Sequence, residues 1–160
     1  MADGAAFDYV SEFLDQYHEV HGTTDAQTRA VVVARRNGIP IAMNDAMWDK
    51  YGIGRDIKAN DPATHAPARR NIYWKAREGA SREAAASTIS VLRDRGMIML
   101  VCNIALGNWA TGLARKHGID PEAGRTEWQQ NLVPGAILVP SGIYALIRAQ
   151  NAGCAWMPGT

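Results

Sequence analysis

Cys102 is the residue whose type and position best suit covalent chemistry. It follows the apolar run MIMLV at 97–101 and precedes a segment with the composition of a helix. A thiolate is a strong nucleophile, and the positive end of a helix dipole stabilises negative charge on its sulfur. Packing is the alternative role, because unpaired cysteines are among the most buried residues. Position alone leaves both roles open.

The second cysteine, Cys154, lies in the setting AGCAW, which suggests no chemistry, so we expect it to pack. It follows a predicted helix and should begin a last strand at the amino edge of the sheet, opposite Cys102. Because strands are about 17 Å long, we expect no disulfide between the two sulfurs. Two cysteines are also too few for a disulfide framework or a four-cysteine zinc site.

Other patterns that could do chemistry are incomplete. His18 and His21 lie three residues apart on a predicted helix, but the sequence shows no third metal ligand near them. The segment GNWATG lacks both glycine-rich phosphate-binding spacings. Ser141 lies in PSG rather than in the G-x-S-x-G of a nucleophile elbow, so we expect it to cap a helix. We therefore predict neither a metal nor a cofactor.

The elements that must position Cys102 alternate between helices and strands. The segment FDYVSEFLDQYHEV has apolar residues at helical spacing and should end near Gly22. TRAVVVA and MIMLV read as buried strands, and VPGAILVPSG reads as a strand between two turns. CAWM reads as a last short strand. This alternation predicts an α/β fold with a mostly parallel sheet and helices on both faces.

Capping residues mark where the helices should begin. Asn44 should cap DAMWDKY, and Ser81 should cap a helix that Gly96 ends. A helix over 106–116 follows MIMLV, and the pair Asp120-Pro121 should start the next one. Ser141 should cap GIYALIRAQ.

Ligands of such sheets bind at the carboxyl ends of the strands. The sequence places residues from three separate segments at that edge. They are Arg35, Arg36 and Asn37 after the first strand, Cys102, Asn103 and Trp109 after the second, and Pro140, Ser141 and Tyr144 after the third.

A long polar insertion at about 54–80, broken by two prolines, divides the chain. It is longer than most structureless loops, so we expect a lid or an arm that clasps another subunit. Arg69 and Arg70 could bind an anion, but arginines beside Tyr73 and Trp74 are also typical of interfaces, which is the interpretation we favour. Aromatic and methionine residues outside the obvious strands, namely Met43, Met47, Trp48, Tyr73 and Trp74, also suggest a homo-oligomer.

Composition limits the class of protein. The 160 residues suit one domain, 1–160, with a core of its own. Seventeen lysines and arginines against sixteen acidic residues give a net charge of +1, so we expect no nucleic-acid partner. The apolar runs are too short for a membrane span. The start, MADGAAFDYV, does not resemble a signal peptide, which predicts a soluble protein and leaves its compartment open.

The second half resembles the DsrE/DsrF-like family of small sulfur-handling α/β proteins. The resemblance rests on MIMLVCNIALGNWATGLARKHGI and NLVPGAILVPSGIYALIRAQNAGCAWM, about the last 65 residues. In that family a buried strand leads to a cysteine and a helix. A later leucine, Pro-Gly turn, strand, small-residue turn and helix ending in Gln-x-x-Gly are matched here by Leu132, Pro134, Gly135, Pro140, Ser141, Gly142, Gln150 and Gly153.

The resemblance implies a three-layer, flavodoxin-like (DsrE-like) fold assembled into trimers or hexamers. It also implies a cysteine, here Cys102, that carries a persulfide to a sulfur-transfer partner protein. Two features depart from the family pattern, namely the insertion at about 54–80 and the tryptophan-containing context NIALGNWA that follows Cys102.

Two functions follow as hypotheses. The first is a sulfur-handling or thiol-redox protein in which Cys102 is the nucleophile, Arg36 a nearby cation, Asn103 a hydrogen-bond donor and Trp109 an apolar wall. The second is a non-catalytic oligomeric protein that holds a small ligand. Its crevice would involve Asn37, Trp109, Ser141 and Tyr144, with Arg69 nearby and Tyr73 and Trp74 as a roof. A hydrolase or another oxidoreductase lacks a recognisable triad or nucleotide loop.

Overall fold

The computed structural model describes residues 4–159 as an α/β fold built on a three-stranded parallel sheet. Its strands are β1 (Val31–Ala34), β2 (Ile98–Cys102) and β3 (Ile137–Val139), in the order β1-β2-β3. Ala34 pairs with Val101, and Cys102 pairs with Val139. The arrangement is consistent with the predicted flavodoxin-like α/β fold.

Helices precede, connect and follow the strands. They are α1 (Ala5–His21), α2 (Asp45–Tyr51), α3 (Ile53–Asp56), α4 (Arg82–Ala86), α5 (Ile89–Asp94), α6 (Asn103–Lys116), α7 (Pro121–Gln130) and α8 (Gly142–Asn151), with short 3₁₀ helices at Arg36–Gly38 and Pro40–Ala42. No helix in the range 4–159 is long and apolar enough to cross a membrane.

The predicted capping residues begin their helices as expected. The Asn44 side chain accepts a hydrogen bond from the Met47 amide, and Asp120 accepts two from the first turn of α7. Ser141 Oγ accepts from the Tyr144 amide at 3.1 Å. Each capping side chain accepts a hydrogen bond from an amide at the helix start that would otherwise lack a partner. Because cap and amide are neighbours in the sequence, the sequence could predict these helix starts.

The helix predicted to follow Ser81 is divided into α4 and α5. At the break, the Ile89 and Ser90 amides donate to the Tyr73 and Trp74 carbonyls, at 2.9 and 3.0 Å. These acceptors come from the middle segment, so a distant part of the chain provides the bonds that begin α5. Sequence periodicity could not show them.

The middle segment is packed against the core through Asn71, which is 1% exposed. Its Nδ2 donates to the carbonyls of Ile41 and Met43, both at 2.7 Å, and its Oδ1 accepts from the Tyr73 amide. These bonds anchor the segment to the core at Asn71, and a lid or an arm elsewhere in the segment stays a prediction.

Three residues expected to mark a subunit interface are core residues instead. Met43 and Trp48 have no exposed surface and Met47 is 2% exposed. Trp48 also donates its indole N–H to the Pro40 carbonyl at 2.9 Å. Their side chains belong to the hydrophobic core, so these three residues do not support an oligomer, and the homo-oligomer stays a prediction.

The last predicted strand, CAWM, is not formed. Residues 154–157 pair with no strand, and Trp156 and Met157 are 60% and 61% exposed. The Cys154 amide instead donates to the Ala149 carbonyl at the end of α8. A short apolar run becomes a strand only where a neighbouring strand offers backbone partners, and sequence composition does not reveal that neighbour.

The two faces of the sheet are covered unequally. The chain forms the strands in their spatial order, so the β1–β2 and β2–β3 connections run in the same direction across the sheet. Because both connections are right-handed crossovers, their helices lie on the same face. On that closed face Met99 and Val101 are 3% and 0% exposed. Helix α8 covers part of the opposite face, which we call the open face. The first residue of α8, Gly142, lies against Cys102.

Candidate functional site

The carboxyl ends of the three strands bring Arg35, Cys102 and Gly142 together. A methyl group in place of the Gly142 hydrogen would lie 3.1 Å from Arg35 Cβ and 3.5 Å from Cys102 Cβ. Glycine therefore allows the start of α8 to approach the sheet closely at this point. The predicted meeting of strand ends is formed around Cys102.

Cys102 is both the last residue of β2 and the N-cap of α6. The helix begins at Asn103 rather than at residue 106, so no loop separates the thiol from the helix. Cys102 Sγ accepts a hydrogen bond from the Ala105 amide at 3.4 Å, and the residue is 6% exposed. An amide donor and a helix N-terminus both stabilise negative charge on sulfur.

The register of β1 and β2 places Arg35, rather than Arg36, beside Cys102. Since Ala34 pairs with Val101, the next pair along the parallel strands is Arg35 and Cys102, on the same face of the sheet. The sequence places Arg35 at this edge, but only strand register distinguishes it from its neighbour. Side chains two residues apart in a strand lie on the same face, so counting from Val33 would have identified Arg35 in the sequence.

Arg36 contributes its backbone to the site. Its φ of 49° is in the left-handed region, and its carbonyl accepts the Trp109 indole N–H at 2.8 Å. Trp109 thus fastens α6 to the turn after β1. Asn37 is exposed in the same turn.

Asn103 and Ser141 have local bonding partners. Asn103 Oδ1 accepts a hydrogen bond from Gln129 Nε2 at 2.9 Å, which joins α6 to α7. Ser141 caps α8 through the Tyr144 amide, and the Tyr144 side chain is 51% exposed. The cap expected at Ser141 is confirmed.

The remaining candidate ligand residues lie away from Cys102. Trp74 packs under the Arg93 guanidinium, and Arg93 Cδ approaches Gly135, just before the amino end of β3. Cys102 pairs with Val139, four residues or about 13 Å farther along that strand. Trp74 therefore does not roof the crevice at the carboxyl edge.

Tyr73 and Arg69 are also held elsewhere. The Tyr73 ring contacts Trp48 edge-on, with centroids 6.1 Å apart. Arg69 pairs with Asp49, and its hydrogen bond lowers the pKa of that carboxyl. Arg70 pairs with Asp61, so both Arg69 and Arg70 have a carboxylate partner within the chain.

A cavity of about 600 Å³ opens along the free edge of β1. Its polar wall is formed by Arg35, Arg36 and Asn37, and apolar residues including Ile41 and Met99 form another part. No acidic side chain from residues 4–159 lines it. The Cys102 thiol does not line this cavity, so the two candidate sites share Arg35 but occupy different volumes.

His18 and His21 each lie close to a neighbouring side chain. No group of three or more His, Cys, Asp or Glu side chains with metal-binding geometry occurs within residues 4–159. His18 Nε2 lies 3.4 Å from Asp25 Oδ1, and the His21 ring packs against Tyr17. The His18 Nε2 atom is buried and has no hydrogen-bond partner among the described residues.

A separate polar cluster joins α2 to α7. Glu127 accepts hydrogen bonds from Lys50 Nζ at 2.6 Å and from the Tyr51 hydroxyl at 2.7 Å. Burial and the Glu127 carboxylate raise the pKa of Tyr51 to about 12. Burial also acts to raise the pKa of Glu127, but the bonds from Lys50 and Tyr51 outweigh it and lower that pKa. The cluster is an ion-pair junction between helices.

The arrangement around Cys102 could support one kind of covalent chemistry, in which a thiolate at the start of α6 attacks a small electrophile. Both cysteines are free thiols, as that chemistry requires. Comparisons with protein-family models, with curated proteins and with solved structures found no match to this chain.

Proposed function

We propose that this protein handles sulfur or carries out thiol-redox chemistry, with Cys102 as the nucleophile. The observation that carries the proposal is the position of the thiol. Its sulfur accepts a hydrogen bond from the Ala105 amide at the start of the 14-residue helix α6. The residue also lies beside Arg35 and Gly142. A helix N-terminus and an amide donor are features typical of nucleophilic thiols.

The proposed reaction is transfer of sulfane sulfur from a polysulfide. The Cys102 thiolate attacks a sulfane sulfur, a new S–S bond forms, and the donor's S–S bond breaks with its electron pair leaving on the shortened polysulfide. An acceptor thiolate then attacks the outer sulfur of the Cys102 persulfide and regenerates the thiolate. Arg35 would stabilise the anionic donor, and the absence of a side chain at Gly142 leaves room beside Cys102.

The DsrE/DsrF-like resemblance supports the same proposal. It supplies the expectations of a persulfide carrier, a sulfur-transfer partner protein and a trimeric or hexameric homo-oligomer. The structure adds the position of Cys102 as N-cap, which the resemblance did not require.

Intact-mass measurement after exposure to inorganic polysulfide tests the proposal. The wild-type chain should gain sulfur atoms that dithiothreitol removes, and peptide mapping should place them on Cys102. Cys102→Ser should lose this loading, whereas Cys154→Ser, the matched control, should retain it. Arg35→Gln should load several-fold more slowly because an anionic donor loses its cation.

Equal loading of the two single variants would contradict the proposal, because it would show non-selective reaction. A wild-type chain that gains no sulfur at Cys102 would also contradict it. Circular dichroism of each variant checks that the fold is retained, so that lost loading reports chemistry rather than unfolding.

The cavity along β1 favours non-catalytic binding of a small ligand as the second candidate function. Its two arginines and apolar residues suit a carboxylate with an apolar body. Calorimetric titration with medium-chain fatty acids tests it. Retained binding in Cys102→Ser and weakened binding in Arg36→Gln would support this function, whereas absence of binding to the wild type would reject it.

A further inference from the structure

The open face of the sheet exposes an apolar surface. Register places Ile98, Leu100 and Cys102 of β2 on this face, together with their partners Val31 and Val33 of β1 and Ile137 and Val139 of β3. Ile98 is 38% and Ile137 51% exposed. Parallel sheets are normally covered on both faces, so this half-covered face is unusual for the fold.

Helix α8 adds to the apolar surface instead of closing it. Gly142 and Ala145 are buried against the sheet, while Ile143, Tyr144 and Ile147 are 61%, 51% and 52% exposed. We name Ile98, Ile137, Ile143, Tyr144 and Ile147 the open-face patch. Its members are uncharged, and the only charged residue of α8 is Arg148 in its last turn.

We propose that the open-face patch is the docking surface for a second copy of this chain. An interface between identical chains across a two-fold axis sets the same patch against itself, so a charged patch would repel its copy. The open-face patch has no such repulsion. Interfaces of homodimers are also the more apolar and charge-depleted class, which matches this composition.

The exposed area of the open-face patch also supports docking of a second copy. About half of each of five large side chains is exposed, roughly 500 Å² in total, which reaches the range of the largest apolar patches on monomers. The partly exposed side chains of Val31, Val33, Leu100 and Val139 extend it. The whole approaches the ~800 Å² per partner that a standard stable interface buries.

The docking surface borders the thiol, because Cys102 and the patch belong to the same side of the sheet. Ile98 begins the strand that Cys102 ends, and Ile143 follows Gly142, which lies against Cys102 Cβ. A second copy on this face would therefore narrow access to the thiol. The proposal itself rests on exposure and register and does not depend on sulfur chemistry.

Sedimentation equilibrium over a range of micromolar concentrations tests the proposal. The wild-type chain should show a mass of two or more chains, and the double variant Ile143→Glu/Ile147→Glu should weaken self-association about 100-fold or more, because burying unpaired carboxylates is costly. Val20→Glu is the matched control, since Val20 is 72% exposed on α1, away from the patch. That control should associate like the wild type.

A second variant, outside α8, tests whether the double variant weakens association only because it disrupts that helix. Ile137→Asp changes β3 rather than α8 and should weaken association in the same way, with far-UV circular dichroism confirming that both variants are folded. A monomeric wild-type chain across the concentration range would overturn the proposal. Unchanged association in both the double variant and Ile137→Asp would also overturn it.

Discussion

Adjacent residues of β2 show how differently the two faces of the sheet are covered. Met99 is 3% exposed on the closed face, whereas Ile98, its neighbour in sequence, is 38% exposed on the open face. Both are large apolar side chains in one strand. The difference arises because the intervening helices lie on one face, which leaves only α8 for the other. We therefore expect stability to depend mainly on the closed face, and the proposed association to depend on the open face.

The largest predicted effect compares these two neighbours directly. Met99→Ala should lower the free energy of unfolding by about 3 kcal/mol, because it opens a cavity in a packed core. Ile98→Ala should lower it by about 1 kcal/mol in dilute protein, since more than a third of that residue is already in water. Urea denaturation followed by tryptophan fluorescence measures both.

Protein concentration sharpens this comparison. If the open face docks a second copy, the cost of Ile98→Ala should grow as concentration rises, while that of Met99→Ala should stay nearly constant. If the two variants lose similar free energies of unfolding in dilute protein, the two faces of the sheet are equally buried, and the comparison is wrong.

The next effect concerns the middle segment. Asn71→Ala should lower the free energy of unfolding by about 2 kcal/mol, because the buried carbonyls of Ile41 and Met43 lose their donors. Asn60→Ala, an exposed change in the same segment, is the control and should cost less than about 0.5 kcal/mol. Equal effects in urea denaturation would indicate that the segment is not held through Asn71.

The smallest effect is the pH dependence at Glu127, which joins α2 to α7. Its folded-state pKa lies below the ordinary value of 4.5, so its stabilising contribution is present above about pH 4.5 and is lost as pH falls through the lower value. Glu127→Gln should therefore cost about 1 kcal/mol at pH 7, a modest value because Lys50 is half exposed.

Thermal unfolding of Glu127→Gln from pH 7 down to pH 3 measures this difference, which should shrink toward the acidic end. Glu122→Gln, an exposed change in the first turn of the same helix, is the control. A deficit in Glu127→Gln that is independent of pH would show that ionisation of Glu127 does not contribute.

Predictions from local signals agreed with the structure where the determining contacts are close in sequence. The apolar runs around Val32 and Val101 became parallel strands, and the caps at Asn44, Asp120 and Ser141 formed as predicted. The placement of Cys102 at the carboxyl edge also followed from the order of elements. The chemical role of Cys102 stays a prediction.

Long-range contacts explain the expectations that the structure did not match. The division between α4 and α5 depends on carbonyls of residues 73 and 74, and Met43 and Trp48 are core residues because the middle segment folds over them. The run CAWM has strand composition without a paired neighbour. None of these contacts leaves a periodic pattern in the sequence.

The sequence by itself determined the parallel strands, the capped helices and the place of Cys102, because hydrophobic periodicity and helix caps act within a few residues. Only the tertiary structure decided that Arg35 is the neighbour of the thiol and that one face of the sheet remains open. Those outcomes depend on strand register and on which face each helix covers, and both are fixed by contacts between residues far apart in the chain.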